Sequence, residues 1–136
     1  MVDEVAGGEE ESPRRFLVDP SRYGHDPAAP WRPLSPGDDH AEVIAAYWQH
    51  LALCTLREKF PVRLVDVVAE RLGKANVVYL RRQVSGEYRV RFEELIRWVI
   101  AFDDITLLPQ VGKLADLYPP GAFAGTGTAG PALEEQ

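Results

Sequence analysis

Residues 61–86, PVRLVDVVAERLGKANVVYLRRQVSG, constrain the fold more than any other stretch, because they encode two short helices meeting at a glycine corner. Leu64, Val67, Val68, Ala69 and Leu72 recur at helical spacing and form one apolar stripe. Gly73 stands where a helix closes in the left-handed conformation, which glycine enters at little cost. After the turn Lys74-Ala75-Asn76, a second stripe of Val77, Leu80 and Val84 runs until Ser85-Gly86 stops it. Arg81, Arg82 and Gln83 fall on the sides and outer face of that second helix. A basic helix held by a short corner against a supporting helix is a form that enters a DNA major groove.

The stretch resembles the helix-turn-helix of the Cro/C1 repressor-like (XRE) family of DNA-binding domains. Ala69-Glu70-Arg71-Leu72-Gly73 matches the end of that family's second helix. Tyr79-Leu80-Arg81-Arg82-Gln83-Val84-Ser85-Gly86-Glu87 matches its third helix and exit, and Phe92-Glu93-Glu94-Leu95-Ile96-Arg97-Trp98 its fourth. The resemblance covers roughly residues 41–104, with a corner one residue longer than the usual form. It implies an all-α fold of five helices. It also implies base-edge contacts from Lys74, Asn76, Val77 and Val78 at the first turn of the recognition helix and from Arg81 and Arg82 on its outer face, with the DNA-binding segment Asn76 to Gln83 inserted into the groove. Arg89 and Arg91, in the loop that follows, suit backbone phosphates that set register. Asn76 can cap the helix or pair with adenine, and a valine can read only a thymine methyl or pack inward.

Charge is distributed to match. The chain of 136 residues carries a net −6 with a pI near 5.0, which taken whole disfavours nucleic acid. Residues 57–97, however, hold ten basic and six acidic residues, a net of +4. Residues 1–56 are at −6 and residues 98–136 at −4. Because charges are screened beyond roughly 8–10 Å at physiological salt, the local field governs binding.

The two ends are poor in large apolar side chains. Residues 1–37 form an acidic, proline-rich arm with the run Glu9-Glu10-Glu11, and residues 119–136 a glycine-rich tail. Both are expected to stay flexible, leaving residues 38–118 as the helical domain. Phe16-Leu17-Val18 and Trp31-Arg32-Pro33-Leu34 are the arm's apolar clusters; they either pack back onto the domain or dock a partner. Arg14, Arg15 or Arg32 could alternatively reach phosphates or a minor groove.

The first helix is expected from Asp38-Asp39 through Phe60, with Ile44, Tyr47, Trp48, Leu51 and Thr55 on one buried face and Val43, Tyr47, Leu51 and Cys54 on the next. Pro61 should open the second helix. Phe92, Leu95, Ile96, Val99 and Phe102 should line the core from the fourth, ended by Asp103-Asp104. A fifth is expected between Pro109 and Leu117.

Catalytic and metal signatures are weak. His50 and Cys54 share a helical face at i, i+4, but no second pair accompanies them, and packing explains them better than a metal or a nucleophile. The paired acids Asp38-Asp39, Glu93-Glu94 and Asp103-Asp104 point about 100° apart on a helix and form no acid/base dyad. No cofactor and no enzymatic activity are expected. With one cysteine, no apolar run of ~18 residues and an acidic N-terminus, the chain reads as cytoplasmic and nucleoid-associated, without membrane contact. The favoured reading is a transcriptional regulator of double-stranded DNA, acting as a homodimer, with the N-terminal arm as a possible protein-partner site. The alternative is an interaction module, an adaptor or antitoxin-like partner, that keeps the fold without reading DNA.

Overall fold

Asp39 starts the longest helix by accepting the Ala41 N–H at 3.0 Å, satisfying one of the donors that a helix N-terminus leaves free. This helix, α1, spans His40–Lys59. The computed structural model describes residues 12–74 and 77–123, and within them three more helices follow: α2 Leu64–Leu72, α3 Val78–Val84 and α4 Phe92–Phe102. The architecture is all-α. The segment expected as a fifth helix holds only a 3₁₀ turn at Leu114–Leu117, with another at Ile105–Leu107. No described helix is long and apolar enough to cross a membrane.

The residues before α1 belong to the core. Pro13–Phe16 makes a 3₁₀ turn against α1, and Leu17 and Trp31 form an antiparallel bridge that brings both side chains inward. Phe16, Leu17, Tyr23, Ala29 and Trp31 are buried together with Val43, Ala46, Leu53 and Leu56 of α1. Residues 12–37, expected as a flexible arm, are therefore packed in place, and their apolar clusters turn inward as one of the two sequence readings had it. Val18 and Pro33 are the exceptions and stay exposed, and Leu34 is half-buried. The glutamate run and residues 124–136 lie outside the described residues.

α1 is consequently rotated away from the first of its two expected faces, while Val43 and Cys54 of the adjoining face are buried as expected. Its buried positions are Val43, Ala46, Gln49, His50, Ala52, Leu53, Cys54 and Leu56, while Ile44, Tyr47, Trp48, Leu51 and Thr55 are half-buried. Apolar spacing misplaced the face because two polar side chains, Gln49 and His50, occupy the interior with their hydrogen bonds satisfied. α4 departs similarly. Leu95 and Trp98 are its buried residues, while Phe92 is largely exposed with its ring 6.3 Å from that of Trp48. Asp103 ends α4 in the left-handed conformation.

Candidate nucleic-acid interface

α2 begins three residues later than expected. Pro61 lies outside it, and Arg63 holds the N-cap with φ 59° and no side-chain cap. Leu64, Val68 and Ala69 enter the core. At the other end Gly73 adopts φ 70°, its N–H bonding to Glu70 O at 3.1 Å while the Lys74 N–H bonds to Ala69 O at 2.9 Å. These paired bonds use carbonyls that the last turn would otherwise leave free, as the glycine predicted.

α3 is narrow, Val78–Val84 within the expected 76–85, and strictly one-sided. Leu80, Gln83 and Val84 are buried; Val78, Tyr79, Arg81 and Arg82 are exposed. Lys74 precedes it and is exposed, and Val77 is half-buried against the core. Asn76 lies outside the described residues. Of the three residues expected along the outer face, Gln83 is misplaced. It is 3% exposed, and its Nε2 donates to Arg89 O and to a Glu94 carboxylate oxygen, both at 3.2 Å. A helix of 3.6 residues per turn carries position 83 round to the side of Leu80, so Gln83 supports the loop and cannot reach a groove.

That loop is held from beneath by Gln49, which composition and motif reading passed over. Its Nε2 donates to Gln83 O at 2.9 Å and Tyr88 O at 3.0 Å, and its Oε1 accepts the Val90 N–H at 2.7 Å. Glu94 accepts the Arg91 N–H at 2.9 Å, tying the loop to the start of α4. These bonds fix the backbone at both sides of Arg89 and Arg91, whose side chains are exposed. A glutamine in the middle of an apolar helix was the available signal, since a buried amide must find partners.

The cations differ in how they are occupied. Arg82 pairs with Glu87 at 3.2 Å and lies over the Tyr88 ring. Arg81, Arg89 and Arg91 make no ion pair among the described residues. Arg57, half-buried at the end of α1, donates to Val84 O at 3.3 Å, and burial lowers its pKa.

The exit from α3 locks this surface to the N-terminal segment. Gly86 has φ 86°, and a Cβ there would come within 2.6 Å of the Tyr23 ring. The Arg14 N–H bonds to Gly86 O at 3.3 Å.

His50 and Cys54 do touch, with Sγ 3.7 Å from Nε2. The imidazole is already committed: Nδ1 accepts the Gly24 N–H at 2.8 Å, which places the proton on Nε2, facing Asp26 O at 3.1 Å. Burial pushes the Cys54 thiol up to about 12, so it stays protonated and unreactive. Among the described residues no group of three or more His, Cys, Asp or Glu side chains is placed to hold a metal. Comparison with protein-family models, curated proteins and solved structures finds no significant match to this chain.

Proposed function

We propose that this protein is a sequence-specific regulator of double-stranded DNA that inserts α3 into the major groove. The observation that carries the reading is the one-sided partition of α3: Leu80 and Val84 anchor it, while Arg81 and Arg82 project outward between exposed Lys74 and the exposed pair Arg89 and Arg91. In this reading Arg81 and Arg82 read base edges or phosphates, with Val78 against a thymine methyl. Lys74, Arg89 and Arg91 contact the backbone, where the Gln49-braced loop keeps the last two in register. The protein works as a Cro/C1-like helix-turn-helix unit, and as a homodimer it spans two half-sites about one helical turn apart.

A second reading has a specific observation behind it. Val78 is 55% and Tyr79 46% exposed, an apolar pair on the outward face that suits a protein partner as well as a groove. Selection of duplexes from a random pool at two salt concentrations separates the two. The expected result is an enriched motif whose affinity falls with log salt at a slope of about −3 if Lys74, Arg89 and Arg91 each neutralise one phosphate. Symmetry in the motif reports the dimer. Binding without enrichment would reduce the protein to a backbone reader, and no binding at low salt would favour the interaction module.

A further inference from the structure

Where α1 ends, α2 begins and α3 passes, Arg57, Arg63 and Arg81 line a single groove of about 350 Å³. Asp66 is the one carboxylate among its lining residues, and it is engaged by Arg63 at 3.2 Å in a pair that is itself solvent-exposed. Three guanidinium groups thus face one carboxylate, an imbalance that an anion would correct. Arg57 adds a second, independent sign. Its Nε is buried and has no hydrogen-bond partner, although the same guanidinium reaches Val84 O through a terminal nitrogen. A buried donor left unpaired is costly, and a water or anion drawn in beside this guanidinium would relieve that cost. The Ser85 side chain, also at the groove, is already turned to Arg82 O and Glu87, so it does not compete for Arg57.

We infer that this groove is a binding site for a phosphate group, with Arg57 as its inner donor and Arg63 and Arg81 as its outer arms. Guanidinium forks pair bidentately with carboxylates and phosphates alike, but three of them need more acceptor oxygens than the two of a carboxylate, and a phosphate supplies them. The phosphate has two possible sources, a nucleic-acid backbone or a free phosphorylated small molecule. The first of these rests on the DNA-binding reading above; the second stands without it.

The test uses the full chain, uniformly ¹⁵N-labelled, with the arginine Nε–H signals followed by NMR while inorganic phosphate replaces chloride at constant ionic strength. The Arg57 signal is assigned through Arg57→Lys, and melting curves establish that each variant is folded. Saturable movement of the Arg57 signal is expected, with affinity reduced at least tenfold in Arg81→Gln, a change at an exposed position. Asp66→Asn should tighten binding roughly two- to fivefold, the worth of one surface ion pair. A random 20-base-pair duplex is then added. Displacement of phosphate by duplex supports the site with a nucleic-acid source. Saturable phosphate binding that duplex leaves untouched supports it with a free ligand, and counts against α3 as a DNA reader. Linear, unsaturable shifts that are equal in wild type and Arg81→Gln overturn the site, even if duplex binds elsewhere on the protein.

Discussion

The segment from residue 12 to Cys54 and the corner from Pro61 to Arg91 use polar groups in opposite ways. In the first, polar atoms are consumed in the interior. Tyr23 donates its hydroxyl to Ala46 O at 2.7 Å, Gly24 bonds to His50, and His50 bonds to Asp26. The rings of Tyr23, Tyr47 and His50 surround Trp31 with centroids 5.4–6.4 Å away. In the second, the buried amide of Gln83, joined by that of Gln49 reaching across from the first region, organises a loop so that guanidinium groups stay outside. The first region is a scaffold that a net negative sequence can build without reference to a ligand. The second spends its charge on the surface, where it contributes little to stability and much to a local field.

The sharpest way to break this contrast is to truncate an aromatic of the scaffold. Trp31→Ala should cost about 3–5 kcal/mol in denaturant unfolding, and Leu80→Ala in α3 about 2–5 kcal/mol. If Trp31→Ala lowered stability by less than about 1 kcal/mol, the N-terminal segment would be an accessory arm after all. Gln49→Leu removes the three bonds beneath the loop and leaves the Val90 N–H without its partner. About 1–3 kcal/mol of destabilisation is expected, together with weaker DNA binding in a fluorescence anisotropy titration, because Arg89 and Arg91 lose their fixed backbone. Unchanged affinity with lowered stability would separate the loop from function.

A milder perturbation is acid. Burial holds the His50 pKa below its ordinary value, against the raising effect of its bond to Asp26. The unfolded chain therefore takes up this proton more readily than the folded one. Stability contributed by neutral His50 is present above about pH 6.5 and is lost as pH falls toward the depressed folded value. Melting temperature should decline between about pH 7 and 5, before the carboxylates titrate; a flat profile over that window would mean that His50 does not stay neutral.

The smallest effect on stability is expected at the exposed face of α3. Arg81→Glu with Arg82→Glu removes one exposed pair, Arg82 with Glu87, and should shift unfolding by no more than about 0.5 kcal/mol while abolishing duplex binding. Unfolding of this double variant would show that the corner is structural and the contrast between the regions false.

Much of the corner was legible in the sequence. The left-handed Gly73, the Asp39 cap, the stop at Ser85-Gly86 and the Leu80–Val84 stripe follow from local rules that act within a few residues. Gln83 was misjudged because a polar residue reads as exposed until its partners, Arg89 O and Glu94, are known to lie nearby. The same holds for Gln49 and His50, whose partners come from residues 24 to 41 positions away in the chain.

The sequence by itself determined the Asp39 start of α1, the Gly73 end of α2 and the stop after α3, and that positive charge gathers in residues 57–97, since each depends on short-range spacing and composition. Only the tertiary structure decided that residues 12–37 complete the core, that α1 buries Gln49 and His50 among its apolar residues, and that Arg57, Arg63 and Arg81 share a groove. Those outcomes depend on which distant groups meet, and the burial of a polar side chain is permitted or forbidden by partners that no local pattern encodes.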